Sequence, residues 1–247
     1  MCIDEKYNNA LQFHGDGEFL LIDKPLDWTS FDVVAKIRNT YKRSGFKCKV
    51  GHCGTLDPKA TGLLILAIGK KTRAIAGLEV LDKVYDGIIK LGAMTESHDS
   101  ETTEYAQCST THLTESQIIA AASMFVGVHL QQPPMHSATW HEGKRLYEYA
   151  RKGVVIKERK AKEIVIYRFE ITQVDLPMVY FLLHVSKGAY IRVIAHDFGQ
   201  LLGVGAYLAN LRRISIGHYQ LSSARTVSET TKDILKASIN HRLCEDI

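Results

Sequence analysis

The sequence predicts a mixed fold, built as one large domain or two small ones, in which strands and helices alternate along the chain. Its 247 residues can bury a substantial core, and 45% hydrophobic with 23% charged residues is an ordinary globular composition. Short runs of branched and aromatic residues alternate with stretches whose apolar residues recur every three or four positions. No repeat of fixed period, heptad run or low-complexity block interrupts this pattern.

The elements are predicted in the following order. The first strand is expected at Glu18–Asp23. Two more are expected on either side of a glycine-rich stretch, one at Val50 and one over Leu63–Ile68. The later strands are expected at Val84–Leu91, Ile164–Val174 and Val179–Ser186, and from Leu211 to His218. Helices are expected after a cap at Thr29 or Ser30, over Lys71–Val80, between Thr114 and Gly127, between Ile191 and Gly203, and over Thr231–Arg242. The apolar faces of three of them are Phe31, Val34, Ile37 and Tyr41; Ile118, Ile119, Ala122 and Phe125; and Ile191, Ile194, Ala195, Phe198, Leu201 and Leu202. The strands over 164–174 and 179–186 are expected to pair antiparallel.

Charge and cysteine usage narrow the classes of protein. A net charge of +4 permits nucleic-acid binding without requiring it, and the basic residues around Arg43 and Lys49 form either a solvated face or an RNA-facing surface. Five cysteines, none spaced as CxxC, argue against a disulfide framework and against a zinc site. Neither a signal peptide nor an apolar run of the ~18 residues that span a membrane is visible, so a cytoplasmic protein is expected.

The stretch from Val50 to Arg73 contains the most informative pattern. Between its two strands lies a glycine-rich turn in which Pro58 favours an extended backbone for Asp57. An Asp in such a turn is usually a turn former or a cap, although loops held by rigid elements often carry catalytic groups. The phosphate-binding pattern GxxxxGK[ST] is not present. The residues alone therefore leave structural and catalytic roles open for Asp57.

Residues 51–64, GHCGTLDPKATGLL, resemble the signature GHxGTLDPxATGxL of the TruB family of tRNA pseudouridine synthases at every fixed position. The resemblance implies that Asp57 is the nucleophile. It also implies that His52, beside the loop, occupies the gap that a flipped-out base leaves in the RNA.

Further motifs of the same family follow in order between Glu18 and Tyr219. Lys24-Pro25 matches a motif that supports the active-site loop, and Lys-x-Tyr places Tyr85 against the target base, as a candidate for proton transfer. Lys-Gly-x-Tyr-Ile-Arg at residues 187–192 implies that Tyr190 lies in the base pocket and that Arg192 pairs with Asp57. Leu211, in Leu-Arg-Arg, is implied to contact the base through its backbone.

The resemblance also implies the architecture. It predicts an α+β pseudouridine synthase fold, with a mixed, largely antiparallel sheet flanked by helices. The expected divisions are an N-terminal extension (1–17), a catalytic domain (18–230) with a mobile RNA-gripping insertion (about 130–157), and a short C-terminal tail (231–247) in place of a PUA domain. The cationic residues and tyrosines at 143–153 suit phosphate contacts and stacking, or else form an amphipathic helix.

The function implied is isomerisation of the uridine at position 55 in the T loop of tRNA. No cofactor or metal is needed, and the expected partner is the T stem-loop of tRNA, bound by a monomer without guide RNA or membrane. Two alternatives stay open: a guide-dependent synthase subunit of the dyskerin kind, and a non-catalytic tRNA-binding or folding protein.

Overall fold

The computed structural model describes residues 16–137 and 139–245. The strands are β1 (Phe19–Lys24), β2 (Val50–Cys53), β3 (Ala60–Ile68), β4 (Lys83–Leu91), β5 (Gly127–Gln131), β6 (Trp140–His141), β7 (Lys144–Arg145), β8 (Lys162–Asp175), β9 (Met178–Val185), β10 (Ala206–Ile216), β11 (Tyr219–Gln220) and β12 (Arg225–Thr226). The helices are α1 (Ser30–Arg43), α2 (Ile75–Glu79), α3 (Glu115–Ser123), α4 (Leu146–Ala150), α5 (Ile191–Leu201) and α6 (Val227–Glu245), with 3₁₀ turns at Gly69–Ala74 and Leu221–Ser223.

The chain divides into two compact units. Unit 1 contains residues up to Leu81 and from Arg212 onward, and unit 2 runs from Asp82 to Leu211. Residues 206–211 of β10 thus belong to unit 2 and residues 212–216 to unit 1. The sequence-based division into an extension, a catalytic domain with an insertion and a tail stays a prediction, and residues 1–15 of that extension lie outside the described residues.

In unit 1, β3 is paired along both edges. It runs antiparallel to β1, with Phe19 opposite Ala67, and antiparallel to β2, with Val50 opposite Ile68; β12 adds to β1 in parallel. Because successive side chains point to opposite faces of a sheet, Leu64 and Leu66 pack in one apolar cluster while Leu63 and Ile65 pack in another. Helices α1 and α6 contribute buried residues to the first cluster. This burial on both faces explains the continuous apolar run in β3.

In unit 2, an antiparallel set of strands runs in the order β4, β9, β8, β5. Four phenylalanines from different elements make edge-on or tilted ring contacts beneath it: Phe125, Phe169, Phe181 and Phe198. Gly87 of β4 allows the close approach of β10, because a Cβ there would lie 2.5 Å from the carbonyl oxygen of Asn210. The predicted α+β class with a mixed, largely antiparallel sheet is confirmed.

Most predicted elements are present, including the helix capped by Thr29 and the antiparallel pair β8–β9. Three predicted core positions are wrong, because the side chains of Phe31, Ile119 and Leu201 are exposed. On α1 the buried stripe runs through Val33 instead, and the Phe31 ring lies 5.8 Å from the Arg38 guanidinium.

Some predicted boundaries are also wrong. The helix expected over 71–80 is a 3₁₀ turn followed by the short α2. The helix expected to stop at Gly127 ends at Ser123, and Gly127 opens β5, a strand that the sequence did not predict. Strand β10 ends at Ile216, so His218 lies in the turn before β11 rather than in the strand.

Candidate active site

Asp57 lies in unit 1, in the loop that joins β2 to β3 (residues 54–59, the Asp57 loop), and its side chain is half-buried. The backbone enters this loop through Gly54 at φ 78° and leaves it near Gly62 at φ 99°, a region that favours glycine. At Gly62 a Cβ would also lie 2.4 Å from the carbonyl oxygen of Arg213. The glycines of the signature therefore meet a backbone requirement on both sides of Asp57.

The residue after Asp57 is held by Lys24. The Lys24 side chain is fully buried, and its ammonium donates to the carbonyl oxygens of Pro25 at 2.9 Å, Trp28 at 2.5 Å and Pro58 at 3.4 Å. The backbone N–H of Asp27 also donates to the Pro58 carbonyl at 2.9 Å. Burial lowers the pKa of Lys24 to about 8, an effect that the negative charge of Asp57 opposes. Lys24 therefore remains mostly cationic near pH 7 and favours an ionised Asp57.

The residue before Asp57 is held by Ser30, the first residue of α1. The backbone N–H of Leu56 donates to Ser30 Oγ at 2.9 Å, and the Ser30 hydroxyl donates to the Leu56 carbonyl at 3.1 Å. Both residues are buried. Because water cannot replace these two hydrogen bonds, Ser30 fixes the backbone of the Asp57 loop against the start of α1.

Two consecutive arginines hold the outer parts of the signature. Arg213 is almost fully buried, and it donates to the carbonyl of Leu63 at 2.8 Å and to that of Gly54 at 3.0 Å. Arg212 is more exposed; it forms an ion pair with Asp23 at 2.7 Å and donates to Thr61 Oγ1 at 3.3 Å. These bonds connect β10 to Gly54, the first residue of the Asp57 loop, and to Thr61 and Leu63 of β3, which follows the loop.

His52, on β2, precedes the loop in the same unit. Its burial lowers the pKa of the imidazole, the positive charge of Arg213 lowers it further, and Glu79 acts in the opposite direction. Its Nδ1 atom is buried and has no hydrogen-bond partner among the described residues. A neutral imidazole ring suits the predicted role of His52, which is to occupy the gap that a flipped-out base leaves in the RNA.

A recess of about 550 Å³ lies beside this end of unit 1. It is lined by Lys24, Pro25, Trp28, Thr61, Arg212 and Lys36, together with residues at the start of α6. Since Lys24 and Thr61 also hold or flank the Asp57 loop, this recess is next to the predicted nucleophile.

Arg192 lies in unit 2, at the start of α5, and its side chain is only 4% exposed. Its Nη2 donates to the His136 carbonyl at 2.7 Å, its Nη1 donates to the Ser97 carbonyl at 3.4 Å, and the Asp99 carboxylate lies 3.9 Å away. Asp99 is itself buried and accepts from Ser97 Oγ at 2.6 Å. The guanidinium is thus held rigidly in a buried polar cluster, in contrast to the surface ion pair usual for an arginine at such a junction.

Tyr190, also in unit 2, is fixed through both its backbone and its hydroxyl. Its N–H donates to Gln131 Oε1 at 2.7 Å, and its carbonyl accepts from Gln131 Nε2 at 3.2 Å. The hydroxyl shares a hydrogen bond with Thr139 Oγ1 at 3.0 Å, and the ring centroid lies 5.9 Å from the Arg192 guanidinium carbon. The Tyr190 ring and the Arg192 guanidinium are thus neighbours, and the place of Tyr190 in a base pocket stays a prediction.

The other two predicted site residues of unit 2 are buried on strands. Tyr85 lies on β4 opposite Leu183 of β9, and Leu211 lies on β10. Their predicted contacts with a base, and the predicted pairing of Arg192 with Asp57, stay predictions.

Two histidines stack beside the Arg192 cluster. The His98 and His196 rings lie parallel with centroids 4.0 Å apart, and each has a buried Nδ1 without a hydrogen-bond partner in the described part of the chain. Burial lowers the pKa of His98 to about 4, and the charges of His196 and Arg192 act in the same direction. The His98 ring therefore fits beside the guanidinium as a neutral group at pH 7.

Several supporting residues were missed by sequence reasoning: Ser30, Asp99, Gln131 and Arg213. Only Arg213 had a sequence signal, since it follows Leu211 in the Leu-Arg-Arg motif. Across residues 16–137 and 139–245, no group of three or more His, Cys, Asp or Glu side chains could hold a metal ion. None of the helices described there is long and apolar enough to cross a membrane.

Comparison with solved structures identifies known proteins that share this fold. A chain in the crystal structure of an archaeal box H/ACA sRNP complex matches with a TM-score of 0.65 and 25% identity, over 94% of this chain and 62% of that one. This chain therefore spans less than two thirds of that chain. A chain in an H/ACA RNP bound to a substrate RNA containing 2′-deoxyuridine has the same fold, with a TM-score of 0.64 and 24% identity.

Comparison with sequences is more specific. The model of the TruB family pseudouridylate synthase N-terminal domain matches residues 38–191, and that of the tRNA pseudouridylate synthase B C-terminal domain matches residues 192–246. The tRNA pseudouridine synthase B of Chlorobium chlorochromatii is 62% identical over 99% of this chain and 96% of its own length. The enzyme of the same name from Geobacter sulfurreducens is 41% identical over 89% of this chain and 70% of its own. The chain belongs to the TruB family of pseudouridine synthases, as its signature predicted.

Proposed function

We propose that this protein converts the uridine at position 55 in the T loop of tRNA into pseudouridine, with Asp57 as the nucleophile. The observation that carries the proposal is the Asp57 loop, in which buried side chains fix the residue before and the residue after the carboxylate. A nucleophile held in one geometry loses little entropy on reaction. The tRNA substrate is supported by the relatives named tRNA pseudouridine synthase B.

The reaction breaks the C–N glycosidic bond, rotates the base and forms a C–C bond to the same sugar. Nothing is oxidised and no atom is added: we propose that Asp57 adds to the sugar or to the base, holds the fragments during the rearrangement and then leaves. When C5 of the base bonds to the sugar, the C5–H bond breaks and its proton leaves, while the released ring nitrogen N1 gains a proton. Tyr85 is the proposed group for this proton transfer. Ionisation of Asp57 is supported by the Lys24 charge, which interacts with it in unit 1. In the proposal Arg192 pairs with Asp57 and orients it.

The target base must leave the RNA stack, at a cost of a few kcal/mol. Stacking on aromatic side chains, worth about 1–3 kcal/mol per base, offsets that cost and gives Tyr85 and Tyr190 their proposed role. Tyr190 is suited to it because its backbone and hydroxyl are already fixed. We propose that Leu211 adds a backbone contact to the base and that His52 fills the gap left in the RNA.

The test is pseudouridine formation in a T-arm hairpin, without any guide RNA, by the wild type and by Asp57→Asn. Loss of the nucleophile is expected to lower the rate by at least about 10³-fold. The matched control is Asp175→Asn, which makes the same change at an exposed carboxylate at the end of β8; its rate should stay within about 3-fold of the wild type. Activity that survives Asp57→Asn contradicts the mechanism.

Two further arms address the alternatives. A hairpin in which cytidine replaces the uridine at position 55 should yield no pseudouridine, and product elsewhere in it would contradict the assigned position. A wild-type protein that binds the hairpin and leaves it unchanged would instead be a tRNA-binding or folding protein. Turnover that appears only after a guide RNA is added would support the guide-dependent class.

A further inference from the structure

A second concentration of positive charge in unit 1 lies away from Asp57. It consists of the end of α1 and the segment that follows it (residues 42–49), with Lys42, Arg43, Lys47 and Lys49, and of the 3₁₀ turn after β3 (residues 69–74), with Lys70, Lys71 and Arg73. All of these side chains are exposed. The two segments contain no acidic residue, and seven cations here compare with a net charge of +4 for the whole chain.

The two segments line one cavity of about 540 Å³, which we call the basic groove; its cationic lining is Lys47, Lys49, Lys70 and Arg73. Asp16, at its edge, pairs with Lys70 at 2.9 Å, and Glu18, in the lining, accepts from the Tyr41 hydroxyl at 2.8 Å, so the four lining cations outnumber these two carboxylates. Within the described part of the chain, Lys47, Lys49 and Arg73 form no ion pair. The groove therefore keeps a positive potential.

The position of the groove is fixed by the register of β2 and β3. Val50 is opposite Ile68 at the groove end, whereas Asp57 lies in the loop beyond Cys53 and Ala60 at the other end. Because a strand rises about 3.3 Å per residue, the length of β3 separates the two places by about 26 Å. A ligand that contacts both must be extended.

We propose that the basic groove binds the phosphodiester backbone of the substrate RNA outside the T arm, while the T loop is at Asp57. Exposed, fully hydrated cations hold a small anion weakly, and the Tyr41 hydroxyl, which is buried in the lining, already donates to Glu18. A row of such cations on two segments does suit a polyanion, because each neutralised phosphate releases counterions and the contributions accumulate. The identity of the RNA rests on the proposed function; the groove adds a second contact region to it.

The experiment compares two RNAs, a full-length unmodified tRNA transcript and the isolated T-arm hairpin, with the double variant Lys47→Glu/Arg73→Glu, which reverses one charge in each segment. Affinity for the full-length tRNA should fall at least about 10-fold at low salt, and the slope of log K against log salt should decrease by about 2. Affinity for the hairpin and the rate of pseudouridine formation in it should stay within about 2-fold. That rate also shows that the variant is folded.

The matched control is Lys232→Glu/Lys236→Glu, which makes the same charge change at exposed positions of α6 that do not line the groove. It should leave the affinity for both RNAs within about 2-fold. The proposal is overturned if the groove variant binds full-length tRNA with unchanged affinity and salt slope, or if the hairpin loses affinity in the same proportion. Failure of the proposed function would show separately, as a wild type that does not modify the hairpin.

Discussion

Asp57 in unit 1 and Arg192 in unit 2 are charged groups positioned by opposite means. The Asp57 side chain remains half-exposed, and its loop is held through backbone contacts from buried side chains at Ser30, Lys24 and Arg213. Arg192 is itself buried and donates directly to two carbonyls beside Asp99. In the proposed mechanism this difference has a reason: a nucleophile at Asp57 must stay accessible, so rigidity is supplied to its backbone, whereas Arg192, if it orients that charge, can be buried.

This difference leads us to expect that substitution of Arg192 has the largest effect on stability. In Arg192→Met the buried Asp99 carboxylate loses its nearby cation, and the carbonyls of His136 and Ser97 lose a charged donor. The free energy of unfolding should fall by about 3–5 kcal/mol, the range for breaking a buried ion pair from one side. Urea denaturation measures this, with Arg168→Met, an exposed arginine paired with Glu170, as the control that should change it by less than about 1 kcal/mol.

The same variant tests the predicted pairing of the two groups. If Arg192 contacts Asp57, the unfolding free energies of Arg192→Met, Asp57→Asn and the double variant should show a coupling of about 0.5–3 kcal/mol. Additive effects would mean that the two side chains act independently, and the pairing would then have to be abandoned.

Arg213 is expected to have the next largest effect, because, like Lys24, it is a buried cation that holds the Asp57 loop. Arg213→Met removes two charge-assisted hydrogen bonds, to the carbonyls of Leu63 and Gly54, and should lower the unfolding free energy by about 2–4 kcal/mol. The neighbouring Arg212→Met, at a half-exposed ion pair with Asp23, should cost less than about 1 kcal/mol. Equal losses in the two variants would remove the distinction between buried support and surface pairing.

The sequence predicted those parts of the site whose residues follow one another closely along the chain. Asp57 was found because its glycines, proline and strands form one continuous motif. Ser30 and Arg213 act on that motif from 26 and 150 residues away, so no spacing in the sequence could reveal their hydrogen bonds. Asp99 was missed for a similar reason: Arg192, which it faces, lies far along the chain.

The prediction of strands was limited in the same way, because it also relied on local sequence patterns. Strand β3 was predicted because its buried residues form a continuous apolar run. Strand β5 was missed because it is an edge strand whose Val128 and Leu130 face outward, the reverse of the usual alternation. The helix before it consequently seemed to extend to Gly127.

The stacked histidines of unit 2 are expected to make stability depend on pH. The folded-state pKa of His98, about 4, lies below the usual histidine value of 6.5, so the unfolded chain takes up the proton first as the pH falls. The stabilisation is complete above pH 6.5 and is lost between pH 6.5 and 4, by at most about 3 kcal/mol. His196, Arg192, His136 and Arg159 all lower this pKa, so none of them opposes the loss.

Unfolding in urea across pH 4–8 measures that dependence. His98→Gln should flatten the profile between pH 6.5 and 4, whereas His112→Gln, at an exposed position of the same unit, should leave it unchanged. A wild-type profile that is flat over this range would contradict the lowered pKa of His98.

The smallest effects on stability are expected for two neighbouring residues, Ser30 and Thr29. Ser30 bonds the Asp57 loop, whereas Thr29 caps α1. Ser30→Ala removes both hydrogen bonds to Leu56 and should cost about 1–3 kcal/mol, while lowering kcat on the T-arm hairpin because the Asp57 backbone is no longer held. Thr29→Ala removes the N-cap of α1, which accepts from the Asp32 N–H, at a similar cost of about 1 kcal/mol. Since Thr29 does not touch the loop, its kcat should be unchanged. A parallel fall of kcat in both variants would mean that the rate follows the stability of α1, and that Ser30 has no separate role in positioning Asp57.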